Sequence, residues 1–292
     1  MVIDLCQFPI NDRDSYQRRT KIKVYLAYSD NFHDLLVEEK CKVIISYGRK
    51  HSKEVVSLPE PFDDYLIDSG GFQIITGSAE RDIFIKAYSL WLEFIIDKYK
   101  DKIKGYMSLD LFPRNRNSKQ EIKETMEESV RNVEYMIGEG LSPIPVWKTF
   151  WPEDVLDYYC GLFQYVAIGG LVGYQGGKQA LRRLFERISL RYPDNMFHML
   201  GVGIRATIAF RTFRPYSIDF STWSVAARYG HTIIPDSKQY IKEIALPEED
   251  KIRVRKDEVF KNNLVREMIR VCNSLETQLD DLNDPYQCHL FL

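Results

Sequence analysis

The chain predicts an α/β fold, and within that class a single (β/α)8 TIM barrel, on three observations. Eight short apolar runs recur between residues 23 and 220, and none alternates cleanly over a long span. That is the pattern of parallel strands covered on both faces. Helical stretches separate most of the runs. The strand-then-helix rhythm repeats at roughly 20 to 40 residues with no strong linker, which favours a barrel over a doubly wound sheet. The chain has 292 residues, 45% of them hydrophobic, so it can bury a sizeable core without disulfides or metals to hold it.

In order, Lys23–Ala27 (KVYLA) is the first strand and a short helix over Phe32–Lys40 follows. Lys42–Tyr47 (KVIISY) is the second, and the stretch from there to Tyr65 is an excursion rather than a clean helix. The third run, Tyr65–Ile67, ends on Asp68-Ser69-Gly70-Gly71-Phe72-Gln73. A strand that stops on a carboxylate and two glycines predicts a tight turn on a cavity floor, because residues without a Cβ let the backbone approach a ligand. An ordinary Asx-turn capped by Asp68 is the plainer alternative. A long amphipathic helix is expected over Glu80–Tyr99, then a strand at Gly105–Asp110 (GYMSLD). Ser118 followed by Glu121 is a capping-box signature that opens a helix over Ser118–Ile137. Ile144–Lys148 (IPVWK) is strand five, and Trp151-Pro152-Glu153-Asp154 opens the next helix, with the proline near its first turn. Tyr165–Gly169 (YVAIG), a helix over Gly177–Leu190, His198–Val202 (HMLGV), a helix over Ile204–Phe213 and Tyr216–Phe220 (YSIDF) complete the series. Past Gly230 no further catalytic-looking strand is evident, and Val259–Leu275 is an amphipathic helix. The expected organisation is a barrel over 1–230 and a C-terminal helical extension over 231–292 packed on it.

Composition narrows the chemistry. A net charge of −2 gives no global sign of a nucleic-acid partner and leaves room for a local basic patch only. Cys6, Cys41, Cys160, Cys272 and Cys288 form no CxxC pair, which predicts a reducing, cytoplasmic setting and no cysteine-built zinc site. The opening MVIDLCQFPINDRD has no apolar core behind a basic region, so no signal peptide is expected. No run approaches the ~18 apolar residues of a membrane helix. His33, His51, His198, His231 and His289 are scattered, with no HExxH spacing, and His198 reads as a satisfied structural histidine rather than a general base. With no P-loop and no GxGxxG after a strand, the chemistry is expected to run on carboxylates, with no nucleotide cofactor and no metal.

Barrel chemistry sits at the C-terminal ends of strands. Those ends carry Asp68, Asp110, Trp147, Gly169-Gly170, Gly201-Val202-Gly203 and Asp219. A carboxylate that ends an apolar strand is costly to desolvate unless it is paired or used. Three of them on one rim argue for use, against the plainer reading as caps. The glycine pairs would let a planar ligand lie against the backbone, although close strand–helix packing also calls for glycine.

On these motifs the chain resembles the tRNA-guanine transglycosylase superfamily, the queuine tRNA-ribosyltransferases. DSGGFQ (68–73) is similar to that family's diagnostic motif, AIGGL (167–171) to its base-binding loop and MLGVG (199–203) to its LMGVG segment. Asp219, followed by FSTWSVAARYG, is similar to the strand-eight aspartate and the run that ends in ARNG. The resemblance spans roughly residues 23–230. It implies a (β/α)8 fold and a base exchange in which Asp219 attacks C1′ of a guanosine, expels guanine and forms a covalent glycosyl–aspartate. A 7-deazaguanine base then takes guanine's place. Asp68 would be the general acid/base, and Asp110 would read the Watson–Crick edge. Ser69, Gly70, Phe72, Gln73, Gly169, Gly170, Leu171 and Gly201 would line the base pocket, with Phe72 stacking and Met199 closing the other face. Trp147 stands where the base-recognising glutamine would be. The target nucleotide would have to leave its stack.

Departures from the family refine the expectation. The family's CxCxxC and distant histidine are missing, since only Cys272 and Cys288 lie in the C-terminal part, so the structural zinc and its subdomain are expected to be lost. The VQGG motif of strand five is replaced by PVWKTF (145–150), and an arginine of the anticodon-loop pair is Val225, although Arg228 is kept. A short, zinc-free member resembles the phage and bacterial branch that places 7-deazaguanines such as preQ0 in DNA. DNA is therefore the expected partner, with free guanine and 7-deazaguanine as the exchanging bases. A tRNA substrate and a non-catalytic nucleic-acid-binding subunit are the alternatives, and a glycoside hydrolase using Asp68 and Asp219 is a more distant one. Arg114, Arg116, Lys148, Arg205, Arg211, Arg214 and Arg228 are the expected contacts to the nucleic-acid backbone, a class of contact that positions rather than specifies.

Overall fold

The computed structural model describes residues 22–47, 57–71, 84–171, 177–202, 207, 210, 213–237 and 240–281. Eight parallel strands form one sheet: β1 (Lys23–Ala27), β2 (Lys42–Ser46), β3 (Tyr65–Asp68), β4 (Ile103–Tyr106), β5 (Val146–Lys148), β6 (Tyr165–Gly169), β7 (Met196–Met199) and β8 (Ser217–Phe220). Their order is β4-β3-β2-β1-β8-β7-β6-β5, so β1 and β8, the first and last strands of this sheet in chain order, are neighbours. The register runs Tyr25 against Asp219 and Ile45 against Ile67. At the two outer edges a lone parallel bridge joins Met107 to Ile144. There the Ser108 N–H donates to the Ile144 carbonyl (2.9 Å), and the Ile144 N–H donates to the Tyr106 carbonyl (2.8 Å). The architecture is a curled, TIM-barrel-like α/β sheet with flanking helices.

The strands obey the two-residue period of the pleat. Tyr25, Ile44, Leu66, Met107, Ile144, Val146 and Ala167 form one small apolar cluster on the inner face of the curl. Their chain neighbours, among them Val24, Leu26, Val43, Ile45, Ile67, Trp147 and Ile168, belong to the larger cluster under the helices. The covering helices are α1 (His33–Glu38), α2 (Ile85–Tyr99), α3 (Lys119–Gly138), α4 (Glu153–Leu162) and α5 (Gly177–Arg191). The helix expected over Ile204–Phe213 lies largely outside the described residues. Pro152 is the N-cap of α4, just ahead of its first turn. Strands four and seven begin and end earlier than their apolar runs. Met107 still donates its N–H to the Ile67 carbonyl of β3 (2.8 Å) while it bridges Ile144 on its other side, and beyond Met199 the chain turns at Leu200 and Gly201 toward the cavity described below.

Past β8 come a short helix α6 (Thr222–Ala226), an antiparallel hairpin of β9 (His231–Asp236) and β10 (Tyr240–Ala245), then α7 (Glu248–Lys256) and α8 (Glu258–Asp281). The hairpin corrects the expectation of a purely helical extension. Pro235 and the Lys242-Glu243 pair break the apolar alternation that would have marked these strands, and only Ile233, Tyr240 and Ile241 among them are buried. α8 is no loose appendage. Val265, Met268, Ile269, Cys272 and Leu275 line one helical face and share the core that covers β1. Near its end, Glu276 accepts the backbone N–H of Val24 (2.7 Å) and pairs with Lys42 (2.7 Å). Among the described residues, no helix is long and apolar enough to cross a membrane.

Ser118 caps α3 as expected, its hydroxyl accepting the Glu121 N–H at 3.3 Å. The reciprocal half of the box is different, because the Glu121 carboxylate accepts the Asn115 N–H (2.9 Å) instead. Ser118→Ala is expected to lower stability by ~1 kcal/mol in urea unfolding, without a change in the slope of the transition.

Candidate active site

At the C-terminal ends of the strands lies a cavity of about 320 Å³. Asp68, Asp110 and Asp219 all face it, together with Gly169, Gly170, Leu171 and Gly201. The three carboxylates come from the end of β3, the segment after β4, and β8, and the curl of the sheet brings them together.

Asp110 is 1% exposed and is held on both sides. Its Oδ1 accepts the Ser69 hydroxyl at 2.8 Å, and Lys148 Nζ lies 2.9 Å from Oδ2. The pair is buried, so the ammonium balances the carboxylate charge in place of water. Lys148 is itself fully buried. It donates to the Leu111 carbonyl and sits 3.7 Å from the centre of the Phe112 ring and 4.7 Å from that of Trp151. Burial pulls its pKa below the ordinary lysine value, and the Asp110 charge opposes that pull.

Asp68 answers the same crowding differently. Burial in the cavity wall, then the Asp110 charge, raise its pKa from 3.8 to about 7, while the nearby Ser46 hydroxyl and Gly70 N–H lower it by less. The turn that follows is tight. Gly70 has φ +88°, and a Cβ on Gly71 would stand 1.9 Å from the Asp110 carbonyl oxygen. Gly71 is thus a close-approach position that locks the DSGG turn onto the segment carrying Asp110.

Asp219 is 6% exposed. Its Oδ1 accepts the Gly201 N–H at 2.6 Å, and His198 Nε2 lies 3.1 Å from the same oxygen. The other ring nitrogen of His198 is 2.6 Å from Ser217 Oγ, which in turn is 2.5 Å from the Tyr165 hydroxyl.

Several expected site residues stand elsewhere. Trp147 does not line the cavity. It points into the helix-side core, 1% exposed, and its indole N–H donates to the Pro152 carbonyl (3.0 Å). The inward position on β5 is Lys148, one residue on, and its complete burial against Asp110 removes it from the backbone-contact set. Met199 likewise packs on the helix side, and Leu200 is the apolar residue on the cavity wall. Arg214 lies with Met196 and Tyr216 at the N-terminal ends of β7 and β8, away from the carboxylates. Ser69 and Gly70 are buried behind Asp110 and Asp68 rather than on the wall. Arg116 lines the mouth, its guanidinium 5.8 Å from the Phe112 ring and 5.7 Å from the Phe150 ring. Arg114 is exposed on the same loop, and Arg228 is exposed after α6. Phe72, Gln73, Arg205 and Arg211 lie outside the described residues. Tyr28, Ser29, Asp30 and Asn31, which follow β1, form a wall that no sequence motif signalled.

Among the described residues, no group of three or more His, Cys, Asp or Glu side chains is placed to hold a metal ion. Compared with known proteins, the chain matches no family model and no curated protein.

The pKa of Asp68 has a consequence for stability. The folded state holds this proton up to about pH 7, whereas the unfolded chain releases it near 3.8. Stability therefore falls as pH rises through that window, and the penalty is fully present above pH 7. Asp68→Asn is expected to stabilise the protein at pH 8, by on the order of 4 kcal/mol at most, with the gain vanishing near pH 4. Urea unfolding at the two pH values checks this.

Proposed function

We propose that this chain is a transglycosylase that exchanges guanine in DNA for a 7-deazaguanine base. The observation that carries the reading is the convergence of Asp68, Asp110 and Asp219 on one cavity whose wall is built partly from the Gly169-Gly170 and Gly201 backbone. In this reading the Met107–Ile144 bridge is the closing seam of a (β/α)8 barrel, and the cavity is its catalytic mouth.

The steps follow from the environments of the three carboxylates. Asp219, its Oδ1 held by the Gly201 N–H, attacks C1′ as the C1′–N9 bond breaks. An ionised carboxylate suits an oxocarbenium-like centre. Protonated Asp68 gives its proton to the departing guanine. In the second half the incoming base attacks C1′, the aspartyl ester bond breaks, and Asp68 takes the N9 proton. A carboxyl poised at about 7 can do both. Asp110, an acceptor on the cavity wall held in place by Ser69 and Lys148, suits the N1–H and amino group of a guanine-like base. Arg116 at the mouth and the exposed Arg114 and Arg228 suit phosphate contacts. DNA is preferred over tRNA on the sequence departures described above.

Labelled guanine or preQ0 offered to purified protein with double-stranded DNA, single-stranded DNA and tRNA tests this. Label is expected in DNA. Incorporation into tRNA alone would move the assignment to RNA, and none into any polymer would favour a silent binding subunit. Asp219→Ala is expected to lose at least ~10³-fold in rate and to form no covalent adduct. The wild-type rate is expected to peak near pH 7, since the first half-reaction needs protonated Asp68 and the second needs it ionised. Asp68→Asn should lose that peak along with ~10²–10⁴-fold in rate.

A further inference from the structure

We infer that His198 is a positioning residue for Asp219: its imidazole, as the Nε2–H tautomer with Ser217 and Tyr165 donating in turn behind it, aims the carboxylate at its target. This rests on the reading of Asp219 as the nucleophile.

The argument is one of donors and acceptors. His198 has no exposed surface, so its ring nitrogens must find partners within the protein. One faces Asp219 Oδ1 at 3.1 Å and the other faces Ser217 Oγ at 2.6 Å. An ionised Asp219 only accepts, so Nε2 must carry the hydrogen. The opposite tautomer would set a nitrogen lone pair against a carboxylate oxygen. In a neutral ring Nδ1 then accepts, and Ser217 must donate to it. The Ser217 oxygen is left to accept from Tyr165, 2.5 Å away. Burial raises the Tyr165 pKa, which keeps the phenol protonated and able to donate. Three hydrogen bonds therefore point in one direction, from Tyr165 through Ser217 and His198 to Asp219.

Geometry gives this chain a task. The Gly201 N–H and His198 both address Oδ1, so the carboxylate is pinned by one oxygen and turned to present the other. The His198 ring also meets Tyr25 in an edge contact, 6.5 Å between centres at 67°. An orienting group that fixes a histidine tautomer is a familiar need wherever an imidazole must act with one particular nitrogen. Here the histidine is itself the orienter. The plainer view of His198 as a satisfied structural residue accounts for its hydrogen bonds but predicts no dependence of rate on which ring atom donates.

Glutamine can place an amide N–H near the Nε2 position, whereas asparagine reaches only as far as Nδ1. His198→Gln is expected to keep kcat within about tenfold, and His198→Asn to lose ~10²-fold in kcat with KM for the base little changed, the size expected from misplacing a reacting group. Equal loss in both variants, or none in the asparagine variant, would overturn the proposal. A second readout is independent of activity and of the folding of either variant. Nitrogen-15 NMR of the imidazole in the wild-type protein at neutral pH should show the Nε2–H tautomer, and Asp219→Asn, whose amide can offer either an oxygen or an N–H to Nε2, should shift it toward a mixture. An Nδ1–H or doubly protonated ring in the wild type would sink the inference. Should the wild type exchange no base with any polymer, the transglycosylase reading fails, and the NMR result still decides how His198 is held.

Discussion

Three negative charges cannot share one half-dry cavity on equal terms, and the site is organised around that constraint. Each carboxylate meets it in its own way. Asp110 is neutralised by a buried ammonium and a serine hydroxyl. Asp219 is held by a backbone N–H and an imidazole on a single oxygen. Asp68, with the least help, keeps its proton toward neutral pH. Under the proposed function, these differences in environment, rather than the residue type, are what would separate a recognition role, a nucleophilic role and an acid/base role. Lys148 is central to this division. Removing its charge would leave Asp110 buried without compensation, and the repulsion would fall on Asp68 next.

The strand pleat decides which residues can take part. On β5, Trp147 turns outward and Lys148 inward. On β7, His198 faces in and Met199 out, and the cavity is resumed by Leu200. A shift of one residue exchanges the two faces of a strand. A bulky aromatic on the outer face thus fixes the orientation of a charged neighbour that would not choose burial unaided. Trp147 anchors that orientation through its bond to the Pro152 carbonyl, at the entry to α4.

Much of the strand framework was legible from local signals. KVYLA and YVAIG coincide with β1 and β6, because short β-branched and aromatic runs bounded by polar residues leave little choice. The carboxylate convergence was legible too, since each aspartate ends or interrupts such a run. What could not be read was parity at Trp147 and Met199, where a three- or four-residue strand offers no alternation from which to count faces. The role of Lys148 was hidden for another reason. A lone lysine reads as a surface charge until a partner 38 positions earlier, Asp110, is seen beside it. The β9–β10 hairpin was masked by its proline and charged residues, and its short apolar side rests on the core only at a few points.

The contact between Glu276 and the Val24 N–H carries a consequence for how the protein is made. β1 is flanked by β2 on one side and β8 on the other, and the amide at its base is satisfied by a side chain 252 residues away. β1 therefore waits for β8 before its second edge is paired, and for α8 before its Val24 amide is satisfied. Until then it presents an open strand edge, a state that nascent-chain chaperones commonly guard. Full bonding of β1 is in this sense a late event in folding, timed by the arrival of α8 rather than by the strands themselves.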